Sequence, residues 1–403
     1  MSSGMTAAEV AARLGVKRQT VYAYVSRGLL ARRVGPDGRT SLFDPRDVDR
    51  LRSAGKSDDG ELNTLIATGL TRIDDRTLWI RGRDLIGLVV DGMGFEQAVD
   101  LLWDSPDHES WTVDLHTVPR VEPLTTAGSD SLLDMLRIAT ARCSAQDPLR
   151  HELAPRGVRS AGRRLITTLA DVLPTGEPSP PAPDADDEAP IASAIWHRLA
   201  REPAAISGPA TAARVRAVDV ALALLVDHGL AGSTFAARIA ASVRADPYAV
   251  VGAGLGVLGG ALHGAASSAV HDLLLAAERQ GDTAAALGAA RRRLGYLPGV
   301  GHSIYTEQDP RYGALMARLV EAWGDDPRLV NVYRLRDLIG ERTDAIPNVD
   351  LALGSLTYLA GMPPGAGEAI FAIARTAGWL AHAMEEYEEK PLRFRARAKY
   401  TGP

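Results

Sequence analysis

The sequence predicts a mainly helical protein preceded by a small, distinct unit at the N-terminus. Through most of the chain, long stretches rich in Ala, Leu and Val repeat their apolar residues at helical spacing, and strand-like patterns are few. Charge divides the chain as well. Residues 1–56 hold eleven Lys/Arg and five Asp/Glu, a net charge of +6, which leaves −11 for the rest of a chain whose net charge is −5. We therefore expect a basic head and an acidic body that meet different partners.

The head begins with two short helical patterns. Thr6-Ala-Ala-Glu9 is a capping box, which predicts that a helix over residues 7–14 begins there. A glycine ends this helix, and a second one is predicted over residues 17–27, again closed by glycine. Two short helices joined by a glycine turn are typical of a helix-turn-helix unit.

A β-hairpin, or wing, is predicted to follow the two helices. Its strands lie over residues 29–34 and 39–43, on either side of the turn Pro36-Asp37-Gly38. A third helix is expected over residues 46–52, followed by polar residues. The predicted bounds are 1–53 for a winged helix-turn-helix domain and 54–62 for a linker.

Double-stranded DNA is the partner that this head suggests. The start of the second helix of such a unit faces base edges, and basic residues around it hold phosphates. The candidate DNA-binding residues are Lys17, Arg18, Gln19, Thr20, Tyr22, Arg32 and Arg33. The segment "AAEVAARLGVKRQTVYAYVSRGLL" resembles the winged helix-turn-helix of MerR-type regulators, without the coiled coil that usually dimerises them. The alternative is a helical hairpin used for packing or assembly.

Bulk composition favours a soluble, cytoplasmic protein. No apolar run reaches spanning length, and the N-terminus has neither the basic flank nor the apolar core of a signal peptide. The lone Cys143 excludes disulfides and cysteine zinc sites, and its helical context predicts a small buried apolar group. The histidines lack metal-ligand spacing, so no metal site is expected. Residues 173–190, with several prolines among acids, are predicted to be an exposed, mobile insertion.

Three stretches in the last third of the chain carry the chemistry. They are Gly-Gly-Ala-Leu-His263-Gly, Gly-Val-Gly-His302-Ser and Pro-Asn-Val-Asp350. Histidines and a carboxylate beside glycine or proline are typical of a site assembled from separate loops, in which one group polarises, one protonates and one takes a proton. By themselves these residues indicate acid–base chemistry and no particular substrate.

The sequences of several segments point to a particular reaction. The segments "DHGLAGSTFAAR", "GGALHGAASSAV", "GVGHSIYTEQDPR", "PNVDLALG", "FAIARTAGWLAHAMEE" and "RFRARAKYTGP" resemble successive signature blocks of citrate synthases, in the family order, across residues 63–403. The resemblance implies a mostly helical homodimer whose two domains close over the active site. The implied bounds are 63–264 with 362–403 for the large domain and 265–361 for the small domain.

The resemblance also implies an activity, the condensation of acetyl-CoA with oxaloacetate to citrate and CoA, with no permanently bound cofactor. Asp350 matches the base that takes a methyl proton, His263 the group that hydrogen-bonds the thioester oxygen, and His302 the group that polarises the ketone. A helix predicted after His263 would keep that imidazole neutral. The implied oxaloacetate ligands are His228, Arg311, Arg375 and Arg395, since guanidinium groups bind carboxylates in bidentate fashion.

Other residues have open assignments. In the family the C-terminal arginine crosses from the partner subunit, and Arg397 is the alternative to Arg395 for this role. Three arginines, Arg291, Arg292 and Arg293, either bind CoA phosphates or form a solvated helix end. His271 and His382 are expected to be structural.

Departures from the family wording leave two further alternatives. Gly229, Ala231, Ser267 and Leu353 replace residues that commonly flank the catalytic groups, without removing a chemical group of the mechanism. One alternative is a 2-methylcitrate synthase that uses propionyl-CoA, because one methylene changes pocket fit by only ~1–3 kcal/mol. The other is a transcription regulator whose weak or inactive synthase body senses oxaloacetate or CoA.

Overall fold

The chain forms two compact units in a computed structural model, Met1–Ala67 and Thr68–Pro403. The described residues are 4–14, 16, 18–26, 30–35, 40–45, 47–48, 65–105, 111, 131–174, 190–201, 208–260, 263–264 and 266–395. Among them, no helix combines the length and the apolar character that a membrane span requires.

The N-terminal unit contains two helices and a small antiparallel sheet. Helix α1 (Ala7–Leu14) begins at the predicted capping box, where the Thr6 N–H donates to Glu9 Oε2 at 2.7 Å. Helix α2 (Arg18–Ser26) follows it. The sheet has the order β1-β3-β2, with β1 (Met5–Thr6), β2 (Arg32–Val34) and β3 (Ser41–Phe43). The predicted helices and hairpin are therefore present, and β1 is an addition that the sequence pattern did not predict.

A compact apolar core holds these elements together. Its buried members are Ala7, Val10, Ala11, Val21, Leu30, Phe43 and Val48. They come from both helices and from the sheet, so the unit has a core of its own. Of the predicted third helix, only residues 47 and 48 are described, and both are helical. The predicted turn at 36–38 lies outside the described residues.

The second unit is almost entirely helical. A three-stranded antiparallel sheet opens it, in the order β4 (Thr71–Ile73), β5 (Leu78–Ile80), β6 (Arg83–Asp84). The helices that follow are α3 (Leu85–Val90), α4 (Phe95–Trp103), α5 (Leu132–Gln146), α6 (Pro155–Asp171), α7 (Pro190–Leu199), α8 (Pro209–Leu225), α9 (Gly232–Ser242), α10 (Pro247–Leu258), α11 (Ala266–Gln280), α12 (Thr283–Leu294), α13 (Pro310–Trp323), α14 (Leu329–Gly340), α15 (Val349–Leu359) and α16 (Ala366–Glu388). The mainly helical fold and the helix predicted from Phe95 to Trp103 are confirmed, as is the burial of Cys143. Most of the predicted 173–190 insertion lies outside the described residues.

Helix α16 is the centre of this unit. Most of its side chains are buried, and α4, α6, α9 and α10 pack around it. Helix α10 approaches closely because Gly254 has no side chain: a Cβ there would lie 2.5 Å from the Trp379 ring. Helix α16 carries the candidate residue Arg375 in its buried middle, so this packing positions that side chain.

Helices α11 and α15 form a second close pair. A Cβ at Gly354 would lie 2.6 Å from the Ser267 carbonyl oxygen, so glycine permits the contact. His263 precedes α11 by three residues, and Asp350 is the second residue of α15. The pair therefore brings two distant candidate residues to one place.

Candidate active site

Six of the predicted residues line one cavity of about 340 Å³. They are His228, His263, His302, Arg311, Asp350 and Arg375. The other lining residues are Ile73, Leu230, Ala231, Ser303, Ile304, Asn348, Val349 and Phe371. Residues separated by almost 150 positions in sequence are thus neighbours, and the cavity combines titratable groups with an apolar wall.

The loops of His302 and Asp350 are hydrogen-bonded to each other. Gly301 N–H donates to the Ile346 carbonyl at 2.8 Å, and Asn348 N–H donates to the Gly299 carbonyl at 3.0 Å. Gly299 and Gly301 have φ values of +76° and +82°, which side-chain-bearing residues rarely adopt. The glycines beside His302 are therefore required by the backbone of this loop.

Backbone hydrogen bonds determine the tautomer of His302. Its Nδ1 accepts N–H groups from Ile304 at 3.0 Å and from Tyr305 at 3.1 Å, so a neutral imidazole carries its proton on Nε2. Nε2 lies 3.4 Å from Nη2 of Arg311. Burial, and then Arg311, lower the pKa of His302. A neutral ring whose Nε2–H lies beside a guanidinium suits an oxygen acceptor placed between the two.

The other two cavity histidines are also held neutral. His228 Nε2 lies 3.1 Å from the Tyr305 hydroxyl, and burial followed by Arg311 lowers the pKa of His228 well below its usual value. His263 Nε2 lies 2.9 Å from Ser233 Oγ. Burial is the leading cause that lowers the pKa of His263, with Arg375 second. The neutrality expected from a helix N-terminus is thus attributable first to burial.

Asp350 is a carboxyl group with an unusual proton affinity. Burial raises its pKa to about 6 and Asp309 adds to the rise, while Arg311 and Arg375 oppose it. Its backbone N–H donates to the side-chain oxygen of the helix cap Asn348 at 3.1 Å. At neutral pH the group is ionised yet remains much more basic than an ordinary aspartate, as a general base requires.

The two arginines are positioned in different ways. Asp309 holds Arg311 through two hydrogen bonds, Nε to Oδ1 at 3.0 Å and Nη2 to Oδ2 at 2.9 Å. Asp309 Oδ2 also accepts the Val349 N–H at 2.9 Å, so it connects Arg311 to the start of α15. This role of Asp309 was not predicted, although the motif Asp309-Pro-Arg311 contains both partners.

Arg375 lies deeper. Its Nε donates to the Leu225 carbonyl at 2.8 Å, and its guanidinium is centred 4.6 Å from the Phe371 ring. The buried Nη2 has no hydrogen-bond partner among the described residues. Burial lowers the pKa of Arg375 to about 10, which leaves the side chain charged at neutral pH. An unpaired buried donor that borders a cavity favours an anionic ligand.

Several predicted residues lie elsewhere. Arg395 is exposed beyond the end of α16 and does not line the cavity of its own chain, and Arg397 is outside the described residues. The three candidate CoA arginines, Arg291, Arg292 and Arg293, are exposed in the last turn of α12. In the head, Arg18, Arg32 and Arg33 are exposed and Thr20 is partly buried; Lys17 and the side chains of Gln19 and Tyr22 are outside the described residues.

The residues that depart from the family motifs lie at or near the cavity or in the core. Gly229 has a φ of +64°, which favours glycine, and Ala231 lines the cavity. Ser267 is buried, and its hydroxyl has no partner among the described residues. Leu353 is fully buried in the core. Of the described residues, no group of His, Cys, Asp and Glu is arranged to hold a metal ion.

Comparison with known proteins identifies two parts of the chain. A family model described as "Citrate synthase, C-terminal domain" matches residues 62–397, and one described as "Helix-turn-helix domain" matches residues 5–55. Citrate synthase from Haloferax volcanii is 38% identical over 188 residues, which span 46% of this chain and 49% of that protein. From Corynebacterium glutamicum, 2-methylcitrate synthase 2 is 30% identical over 67% of this chain and 72% of its own length, and 2-methylcitrate synthase 1 is 28% identical over 85% and 94%.

Solved structures share the fold. Citrate synthase from Thermotoga maritima aligns with a TM-score of 0.63 at 22% identity, covering 85% of this chain and 95% of that one. A second such structure is a ternary complex of citrate synthase from Thermoplasma acidophilum.

 

That complex, which holds carboxymethyl coenzyme A and oxaloacetate, aligns with a TM-score of 0.63 at 21% identity over 85% of this chain and 95% of that one. At these identities the likeness shows the fold. The family model, in contrast, covers most of this chain, from the sheet of the second unit to the segment beyond α16. The chain therefore belongs to the citrate synthase family and carries a helix-turn-helix domain at its N-terminus.

Proposed function

We propose that the protein condenses acetyl-CoA with oxaloacetate to give citrate and CoA. The observation that carries this proposal is the convergence of Asp350, His263 and His302 with two arginines in one cavity. The relatives' names, citrate synthase and 2-methylcitrate synthase, point to the same reaction class.

Asp350 starts the reaction by taking a proton from the acetyl methyl group. A thioester α-carbon is a weak acid, so the base must be stronger than an ordinary carboxylate, and a pKa of about 6 meets that need. The electron pair moves to the thioester oxygen and forms an enolate. His263, neutral because of burial, donates a hydrogen bond to that oxygen.

The enolate carbon then attacks the ketone carbon of oxaloacetate. The Nε2–H of His302 polarises the ketone oxygen and donates its proton to the alkoxide that forms. Arg311, Arg375 and His228 hold the substrate, the first two by pairing with carboxylates. Water cleaves the resulting citryl-CoA at its thioester, which releases citrate and CoA.

We infer a homodimer in which Arg395 completes the site of the partner subunit. An exposed arginine outside its own cavity supports this assignment. Helices α9 and α10 also expose apolar side chains at Ile239, Val257 and the adjacent Val243, a pattern that favours burial against another chain. The proposed large domain (63–264 and 362–403) and small domain (265–361) both contribute to the cavity, so closure would exclude water.

The test is a thiol-release assay on the full-length protein. Oxaloacetate with acetyl-CoA should release the CoA thiol, and Asp350→Asn should release roughly 10²–10⁴-fold less. The rate of thiol release with propionyl-CoA, compared with the rate with acetyl-CoA, measures the acyl preference. If a folded protein that still binds oxaloacetate releases no CoA thiol, the proposed enzymatic activity is overturned. That result would favour the alternative, a transcription regulator that senses oxaloacetate or CoA.

DNA binding by the head is a second proposed function. Arg18 is exposed at the start of α2, and Arg32 and Arg33 are exposed on β2, where they can reach phosphates. Binding to the DNA upstream of the protein's own reading frame should weaken with salt, and Arg18→Ala with Arg33→Ala should flatten the salt dependence by about two charges. Arg336→Ala, an exposed site on α14, is the control. Unchanged binding in the double variant would refute this docking.

A further inference from the structure

A buried chain of charged and polar groups connects residues 391–395, here called the C-terminal segment, to the loop that carries His228. Its members are Arg393, Glu386, Arg238, His382 and Asp227. All but Arg393 are fully buried. We call this set the relay. Buried charges are costly unless they are paired, so the members of the relay depend on one another.

Asp227 is the end of the relay nearest the cavity. Its Oδ2 accepts hydrogen bonds from the Thr71 hydroxyl and from the Gly229 N–H, the latter at 3.1 Å. These contacts connect Asp227, which precedes His228, to β4 and to Gly229, which follows His228. Its Oδ1 lies beside Gly378, one helical turn from Arg375, where a Cβ would be only 2.7 Å away. Asp227 therefore touches the surroundings of two proposed oxaloacetate ligands.

His382 is the middle of the relay. Arg238 Nη1 donates to His382 Nδ1 at 2.9 Å, and since an arginine only donates, Nδ1 must accept. Nε2 of a neutral ring then carries the proton and faces Asp227 Oδ2 at 3.4 Å. The imidazole thus accepts on one side and donates on the other. Its contacts go beyond the purely structural role expected from the sequence.

Glu386 and Arg393 form the other end of the relay. Arg238 Nε donates to its Oε2 at 3.0 Å, and Arg393 donates to both its oxygens, at 2.7 and 2.5 Å. The segment around Arg393 is fixed to α9 as well, since Leu392 N–H donates to the Ser242 carbonyl at 2.9 Å. Arg395, two residues further on, is the residue proposed to enter the partner's site.

We propose that His382 is a positioning residue, through which the relay couples the C-terminal segment to the oxaloacetate ligands His228 and Arg375 of the same chain. The coupling rests on the proposed function, because it names oxaloacetate as the ligand. Its consequence is that seating of the segment strengthens oxaloacetate binding in the subunit that donates the segment. Insertion of one subunit's segment into the partner's site would then change the oxaloacetate affinity of the donating subunit, which couples the two sites of the dimer.

The experiment compares His382→Leu with His382→Gln by calorimetric titration of oxaloacetate into the full-length protein. Leucine removes both hydrogen bonds, whereas glutamine retains one donor and one acceptor. We expect the Kd of the Leu variant to rise about 10- to 100-fold and that of the Gln variant to stay within about threefold of wild type. In steady-state assays the KM for oxaloacetate should rise, while the KM for acetyl-CoA stays within about twofold.

A second arm tests the coupling itself. Arg393→Met should weaken oxaloacetate binding, and adding it to His382→Leu should cause no further loss, because both act through one chain of contacts. Arg336→Met, on the exposed face of α14, is the matched control and should bind as wild type does. Melting curves confirm that every variant is folded.

The outcomes are separable. Equal weakening by Leu and Gln, or wild-type binding by the Leu variant, would overturn the positioning role of His382. Additive losses in the double variant would overturn the coupling to Arg393. If the wild-type chain does not bind oxaloacetate, the proposed function is overturned. The choice of oxaloacetate as the ligand whose binding the relay affects is then overturned as well.

Discussion

At the scale of the residue, Asp350 shows how burial changes the chemistry of a carboxyl group. Burial raises its pKa to about 6 despite the opposing charges of Arg311 and Arg375. The ionised form is therefore available at neutral pH and is held in a site that disfavours it. That combination supplies basicity at the expense of stability.

The first prediction concerns the pH dependence of turnover. A base acts only when deprotonated, so kcat/KM should be constant at neutral pH and fall as pH drops through about 6. Burial lowers the pKa of His263 and His302, which places their protonation below the ordinary range for histidine. Steady-state rates from pH 4.5 to 8 check this. An acidic limb with its midpoint near pH 4 would contradict the role of Asp350.

The second prediction concerns stability. The native pKa of Asp350 is raised above its unfolded value, so the penalty is fully present above pH 6 and absent below about pH 4. Displacement of the pKa to about 6 corresponds to about 3 kcal/mol. Asp350→Asn should therefore raise the free energy of unfolding by about 1–3 kcal/mol at pH 8, with no gain at pH 4. Urea unfolding at both pH values measures it, with the exposed Asp344→Asn as control. A gain of equal size at pH 4 would point to a cause other than charge.

At the scale of the element, glycines decide how closely helices approach the site. Gly378 lies in the middle of α16, and a Cβ there would be 2.4 Å from the Val226 carbonyl oxygen and 2.7 Å from Asp227 Oδ1. Helix propensity alone would favour alanine at this position. The residue is therefore selected by the loop that packs on the helix.

A pair of glycine substitutions gives the third prediction. Gly378→Ala should lower the free energy of unfolding by about 1–3 kcal/mol and weaken oxaloacetate binding, because the added carbon displaces Asp227. Gly288→Ala, in α12, meets nothing nearer than 3.5 Å and should stabilise the chain by about 0.5–1 kcal/mol. Thermal unfolding with calorimetric titration checks both. A stable Gly378→Ala variant with wild-type affinity would show that the loop can move without cost.

At the scale of the whole molecule, the proposed dimer would add a residue to each site. Arg375 Nη2 has no hydrogen-bond partner among the described residues, and Arg395 is exposed outside the cavity of its own chain. A two-fold dimer that exchanges C-terminal segments would account for Arg395 and for the apolar exposure on α9 and α10.

Hybrid dimers give the fourth prediction. Asp350→Asn and Arg395→Ala should each impair turnover as homodimers. Mixed under conditions that exchange subunits, they should recover about a quarter of wild-type activity, because a random mixture makes half the dimers hybrid and each hybrid has one intact site. Recovery is measured by thiol release. If exchange is verified by mass and no activity returns, Arg395 serves its own chain. An Arg395→Ala homodimer with wild-type turnover would show instead that Arg395 has no role in the site.

The sequence was sufficient for the elements with strong local signals. The Thr6–Glu9 capping box located the start of α1, and the apolar periodicity from Phe95 located α4. The family wording also named six residues that line one cavity. Asp309 and His382 were missed as supporting groups because their partners are decided by packing. His382, for example, meets Arg238, which lies 144 positions earlier in the chain.

By itself, the sequence determined that the chain is mainly helical, carries a basic helix-turn-helix head and belongs to the citrate synthase family. Those properties depend on local periodicity, charge and motif wording. Only the tertiary structure decided that burial raises the pKa of Asp350, that burial lowers the pKa of the cavity histidines, and that Arg375 Nη2 has no hydrogen-bond partner among the described residues. Proton affinity depends on burial and on neighbouring charges, and both arise only when distant segments pack together.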